Sequence, residues 1–270
     1  MEMQENKKSV ACVVNLHGGP VRYVGEVNFR NHRSGRAKCD TRVMTALVSQ
    51  FTPNGFVIGA DSLRCDMHGK VVTDDAVKLY STNHPGFAAA YGFTGCTAIE
   101  CAGQRPMLNI LEVANHVAAD LARVPCDGPE EYVEDFCQDL AYRIADASIG
   151  VVLPSQSEFM RAMFVGYHQH RPVRLQVVFP TVNGVLQVPR LTELIEAPGA
   201  FCIASGSRVV WSDLSQVAFQ PETLQEAVDF VRAYIVRCIE NTSDPDCAII
   251  GGHPQIATVT EQGFDWISRP

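Results

Sequence analysis

Thr45-Ala-Leu-Val-Ser-Gln-Phe-Thr-Pro-Asn-Gly-Phe-Val-Ile-Gly-Ala-Asp-Ser62 is the stretch that decides the fold. Two apolar runs, Thr45–Phe51 and Phe56–Ser62, flank Thr52-Pro-Asn-Gly55, which is a turn signature. The spacing predicts a hairpin centred between Pro53 and Asn54, in which the numbers of facing residues sum to 107. Ser62 then lies beside Thr45, and Asp61 beside Ala46. A hydroxyl at the start of the hairpin and a carboxylate at its end are thereby brought together.

Working outward, Lys70–Thr73 and Val77–Tyr80 read as a second strand pair around Asp74-Asp75. Gly86–Phe93 is a buried strand by its apolar run, and it ends in Thr94-Gly95-Cys96. Leu108, Leu111, Val113, Val117, Ala118 and Leu121 recur at helical spacing. A second helix starts after Gly128-Pro129 and carries Tyr132, Phe136, Leu140 and Ile144. Strands are expected at 160–166, 174–179, 184–188 and 200–204, and a third helix from about Glu222. A last strand pair is read at 247–251 and 257–259. The order is strands, two helices, strands, helix, strands. That is an α+β domain, most simply two sheets packed face to face with helices outside.

The chain has 270 residues and is 46% hydrophobic and 19% charged, enough apolar material for a sizeable core. Lys plus Arg is 22 against 30 acids, a formal net charge of −8. That balance speaks against nucleic-acid binding, which needs clustered cations for phosphate contacts. No apolar run approaches the roughly 18–20 residues that cross a membrane, and no secretory h-region follows the first lysines. A cytoplasmic protein is expected. The charge is uneven. Residues 1–43 hold eight Lys/Arg against four Asp/Glu, and the remainder 14 against 26. The first segment has no sustained period. We therefore divide the chain into residues 1–44, a basic non-core segment (a leader or a mis-assigned start), and a domain over 45–270.

Ten cysteines occur without any Cys-x-x-Cys pair, most of them inside apolar stretches, which reads as reduced and buried. His168-Gln-His170 has no acidic or cysteine partner nearby and reads as a polar strand edge. No metal or cofactor is expected.

From Thr45 the chain resembles proteasome β-type subunits of the N-terminal-nucleophile hydrolases, with the nearest likeness to the bacterial HslV-like peptidases. Thr45 stands at the nucleophile position. Gly55-Phe-Val-Ile-Gly-Ala-Asp61-Ser62 matches the family's glycine, apolar run and Asp-Ser. Lys78 in Ala-Val-Lys-Leu-Tyr matches its lysine, and Gly92-Phe-Thr-Gly95-Cys-Thr-Ala98 its glycine segment. Ser205-Gly-Ser207 is similar to its Ser-Gly-Ser turn, and Asp246–His253 to the Asp-rooted loop closing the site. Ala46, Leu63 and the Asp-Pro-Asp of 244–246 depart from the pattern. The resemblance implies a four-layer αββα sandwich, assembly into homo-oligomeric rings, and threonine-dependent hydrolysis of peptides or unfolded protein. An ATPase partner is left unknown.

The residues themselves support such chemistry. A threonine hydroxyl is a weak nucleophile that needs a base, and its own free α-amine, with a reference pKa of about 7.7–8.0, suits the task. An ammonium from Lys78 would depress that pKa, and Asp61 would hold the lysine in place. The Gly95 N–H would face the developing oxyanion, while Ser205 and Asp246 would orient the amine. A small-amide hydrolase with the same chemistry and a non-catalytic ring or scaffold subunit remain as alternatives. The mechanism requires Thr45 at an N-terminus. Met44-Thr45 suits removal of an initiator methionine, so translation from Met44 is expected, with a cleaved leader as the competing reading.

Overall fold

The computed structural model describes residues 45–100, 107–195, 201–215 and 221–269. The basic segment of residues 1–44 lies outside them. Chain order begins with β1 (Leu47–Thr52), β2 (Gly55–Asp61), β3 (Arg64–Cys65), β4 (Val71–Thr73), β5 (Leu79–Ser81) and β6 (Ala88–Gly95). The short β7 (Ala98–Ile99) and β8 (Leu108–Asn109) lead into helices α1 (Ile110–Leu121) and α2 (Pro129–Ala147). β9 (Met160–His168), β10 (Arg171–Phe179), β11 (Thr181–Val182), β12 (Val185–Leu186), β13 (Arg190–Ile195) and β14 (Phe201–Ser205) follow. The chain continues through α3 (Arg208–Ser215), α4 (Leu224–Glu240), a 3-10 turn at Pro245–Cys247, β15 (Pro254–Thr260) and β16 (Gly263–Ser268). It is a mixed α+β fold with antiparallel sheets and four helices among the described residues.

One five-stranded sheet runs β14-β1-β2-β15-β16 and the other β13-β10-β9-β6-β5. The β1–β2 hairpin has the register its sequence dictates, with Leu47 opposite Ala60 and Phe51 opposite Phe56. The Thr52 hydroxyl fixes the turn by accepting from Asn54 N–H at 3.2 Å and donating to Gly55 O at 3.1 Å. Pro53 sets one φ and needs no ladder partner there.

Successive residues of β1 and β2 enter different apolar clusters, as the two-residue pleat requires. Val48 and Val57 pack with Ile256 of β15 against Val231 and Ile235 of α4. Leu47, Phe56 and Ile58 instead join Leu79, Ala90 and Met163 of the other sheet. A third cluster places Tyr91, Phe93 and Phe164 against α1 and α2, with the Phe136 ring 5.1 Å from Tyr91 and 5.4 Å from Phe164. β2 is buried along its whole length, which explains a continuous apolar run rather than an alternating one.

Several expected elements differ. Residues 71–73 pair with Arg64–Cys65, and residues 79–81 with β6, so the two do not form one hairpin. The stretch 247–251 is no strand: Asp244 caps a 3-10 turn by accepting from Asp246 N–H at 2.9 Å, with Pro245 at its start. His168 is the last residue of β9, opposite Arg171, and Gln169-His170, both at positive φ, are the tight turn into β10. α3, β13 and β16 are not among the elements expected from the sequence; each carries a half-exposed face. Among the described residues, no helix is long and apolar enough to cross a membrane.

α4 packs directly on β2 because Gly59 has no side chain: a Cβ there would lie 2.4 Å from Val231 Cγ1 and 2.7 Å from Ile235 Cδ1. Gly59→Ala should therefore push the helix outward and destabilise the fold by about 1–3 kcal/mol. Urea unfolding measures this, and a midpoint equal to wild type contradicts the packing argument.

Candidate active site

Thr45 immediately precedes β1, and Asp61 is the last residue of β2. The hairpin register brings them together: Asp61 N–H donates to Ala46 O at 3.2 Å, and Ala46 N–H donates to Asp61 Oδ1 at 3.0 Å. Lys78 enters from the segment just before β5. Its Nζ donates to Thr45 Oγ1 at 3.1 Å and to Asp61 Oδ1 at 3.1 Å. The other carboxylate oxygen, Oδ2, accepts from Leu63 N–H at 3.2 Å and from Gly251 N–H at 3.1 Å. All three side chains are buried: Thr45 is 3% exposed, Asp61 0% and Lys78 1%.

Such a pair survives burial only if each charge is satisfied. Asp61 has four donors, and the ammonium has two oxygens. Burial pushes the Lys78 pKa below the ordinary lysine value and the Asp61 carboxyl above the ordinary aspartate value. Their mutual attraction and the backbone N–H groups oppose both shifts. The consequence for Lys78 is an amine closer to the neutral form than a surface lysine, beside a hydroxyl. Thiols do not compete for the nucleophile's role. Burial pushes Cys96 and Cys247 up to about 12 and Cys202 to about 11, so none offers a thiolate near neutral pH.

The remaining residues expected at the site are placed differently. Gly95 ends β6 opposite Met160 at φ +92, and a Cβ there would lie 2.5 Å from Phe159 O. Ser205 stands opposite Leu47, two residues along the chain from Thr45. Asp246 sits half-buried in the 3-10 turn. Among the described residues, none of these three hydrogen-bonds to Thr45, Asp61 or Lys78. The two loops are linked by Ser207 and Asp244. The fully buried Ser207 hydroxyl donates to Asp244 Oδ2 and accepts from Val210 N–H at 3.0 Å, and Tyr234 OH donates to Ser207 O at 3.1 Å. Asp244 before Pro245 is a cap signature, so its role was readable; nothing in Ser-Gly-Ser says which serine turns inward.

Two further groups support the set. Ser62 Oγ accepts His253 N–H at 2.7 Å and donates to Asp74 O. Gln255 is fully buried and bonds to Lys78 N–H through its side chain. A separate cleft of about 660 Å³, lined by Asp127, Glu130, Glu134, His168 and Arg171 among others, touches none of these residues.

Asp61→Ala strands the Lys78 ammonium, and the expected loss is about 3–5 kcal/mol at neutral pH. The folded state then holds the Lys78 proton less tightly than the unfolded chain, so stability rises with pH until the ordinary lysine value of 10.5 is passed. Denaturant melts of Asp61→Ala between pH 7 and 10 check this, and a loss that does not shrink with pH rules out a stranded ammonium.

No protein-family model matches the chain. No curated protein matches it. Solved structures do. The Gly-1 mutant of Anbu from Hyphomicrobium sp. strain MC1 superposes with a TM-score of 0.53 at 16% identity, covering 83% of this chain and 85% of that one. Anbu, an ancestral beta-subunit, from Yersinia bercovieri gives 0.52 at 10% identity, covering 83% and 87%. The likeness is one of fold. It corrects the assignment to proteasome β-type, HslV-like peptidases: the similar structures named here are Anbu proteins, and nothing at the level of sequence supports the narrower family. What stands is a likeness of fold to these Anbu structures.

Proposed function

We propose that the chain is a threonine-dependent amide hydrolase that cleaves peptide bonds, with Thr45 as nucleophile once it is an N-terminus. The observation that carries this is one buried ammonium, Lys78 Nζ, 3.1 Å from Thr45 Oγ1 and 3.1 Å from Asp61 Oδ1. A lysine held in this way is costly unless its contact with the hydroxyl is used. Thr45 Oγ attacks the scissile carbonyl carbon, and its proton passes to the Thr45 α-amine. That amine protonates the departing peptide amine, leaving an ester on Thr45. Water, activated by the same amine, hydrolyses the ester and restores the hydroxyl. Lys78 stabilises the ionising oxygen, and Asp61 fixes Lys78. In this reading the Gly95 N–H takes the oxyanion, while Ser205 and Asp246 lie around the amine.

The three apolar clusters support a four-layer αββα arrangement for the 45–270 domain, with helices outside two facing sheets. Residues 1–44 are then a segment to be absent from the working enzyme. A homo-oligomeric ring fits the exposed apolar side chains on and after α2, namely Tyr142, Ile149 and Val152, which are 73%, 67% and 78% exposed.

Turnover of a fluorogenic peptide panel tests the chemistry, using chains made from Met1 and from Met44 with intact mass to locate the first residue. A chain beginning at Thr45 should be active. Thr45→Ala and Lys78→Ala should each lose at least about a hundredfold, and Thr45→Ser should retain part of the rate. Turnover by Thr45→Ala at the wild-type rate excludes the mechanism. Absence of turnover from every chain favours a scaffold subunit.

The assembly is tested separately. Light scattering at micromolar concentration should report a mass well above a dimer, and a monomer contradicts the ring.

A further inference from the structure

Gln255 is an uncharged side chain with no solvent contact, lying beside the charged pair. It sits near the start of β15, opposite Ala60 and one residue from the Asp61 position. Its Oε1 accepts the Lys78 N–H at 2.9 Å. Its Nε2 donates to Ala76 O and, at 3.5 Å, to Asp61 O. A carboxamide is the neutral side chain that offers an acceptor and two donors on one plane. Only this orientation fits. Turned over, its NH₂ would meet the Lys78 N–H, and its oxygen would meet two carbonyls.

All of its bonds end on the residues that deliver the ion pair. Lys78 needs such a fastening because the chain from Asp74 to Lys78 belongs to no strand, and sheet pairing resumes only at Leu79 opposite Gly92. Within that segment the Ala76 N–H is held by Ser62 O at 3.0 Å. The backbone of Lys78 itself is held by the Gln255 side chain. The ammonium has to meet two oxygens at once, both at 3.1 Å, so a drift of about 1 Å in the main chain breaks one contact or the other.

We propose that Gln255 is the positioning residue of this site, locking the backbone of Lys78 to the end of β2 so that one ammonium bridges Asp61 and Thr45. Its effect on rate rests on the hydrolytic reading given above; its effect on Lys78 does not.

The chain contains five lysines, so the full-length protein labelled with ¹³C at lysine Cε gives five resonances, and Lys78→Arg identifies the one from Lys78. The shift and titration midpoint of that resonance are compared in wild type, Gln255→Leu and Gln255→Met. In Gln255→Leu the fastening is lost and water reaches Nζ. The burial that holds the midpoint down is relaxed, and it should rise by about one pH unit. Gln255→Met keeps the unbranched shape, adds no charge and removes the same hydrogen bonds, and should show a displacement in the same direction. An unchanged Lys78 resonance and midpoint in the folded variants overturns the proposal, even where the melting temperature falls, because packing alone would lower stability without moving Lys78. Should Gln255→Leu not fold, Gln255→Met decides alone. With a peptide substrate, Gln255→Leu should lose at least about tenfold in kcat with KM within about twofold, and an unchanged kcat also overturns the proposal. A wild-type chain that hydrolyses nothing removes the hydrolytic reading, while the lysine measurement still decides the part played by Gln255.

Discussion

The Asp61 carboxylate is the constraint around which the molecule is arranged. A charge taken fully out of water costs several kcal/mol unless every lone pair is met. Asp61 meets that condition with donors from four places: Ala46 before β1, Leu63 after β2, Lys78 before β5 and Gly251 before β15. Leu63 follows Asp61 closely, but the other three segments are distant in sequence and have no hydrophobic reason to meet at one atom pair. The hairpin brings the first two, the facing of the sheets brings Lys78, and the β2–β15 pairing brings Gly251. Loss of any one leaves a buried charge short of a partner. The carboxylate therefore penalises misplacement of the very elements that the apolar clusters hold more loosely.

Division of labour along single strands makes this possible. In β1 and β2, alternate side chains go to α4 and to the opposite sheet, so the strands are saturated with packing on both faces. Apart from the buried Ser49 and Gln50 of β1, the polar groups of the hairpin appear where its strands stop: Thr45 at one end of the first strand, Asp61 at the end of the second. The site is the place where the pleat ends and side-chain direction is no longer dictated by period two. Positions of functional groups there depend on hydrogen bonds rather than on packing, which is why Gln255 and Ser62 stand beside the site.

The legible part of the fold was the part with a period. Pro53-Asn54 and the alternation around it fixed the hairpin to the residue, and with it the meeting of Asp61 with Ala46. Lys78 was legible through its neighbours in a recognisable short motif. Strands β13 and β16, half-exposed at sheet edges, had no comparable signal. Ser205 and Asp246 were named for the Thr45 amine, while the contact between their loops is made by Ser207 and Asp244. The sequence around the turn contains both candidates, and tertiary packing against Tyr234 selects one. Gln255 had no signature at all: a glutamine in a strand is usually a solvent-facing residue, and only the folded chain reveals that it is enclosed. The narrower family resemblance rested on patches of a few residues each, and no family model or curated protein extends them over the chain.

The exact fit of the hairpin also divides the molecule into stretches that tolerate changes of length and one that does not. One residue more or fewer between Thr52 and Gly55 would reverse the faces of β2, sending Phe56 and Ile58 toward α4 and the carboxylate of Asp61 away from Ala46. The turn from Asp66 to Lys70, by contrast, bears on neither Asp61 nor Lys78: its buried Asp66 carboxylate is tied within the turn itself, accepting from His68 and Lys70 N–H. Related chains that keep the same chemistry are therefore free to diverge in length at the second turn. At the first they carry a fixed ruler, two residues long, between the nucleophile's strand and that of its carboxylate.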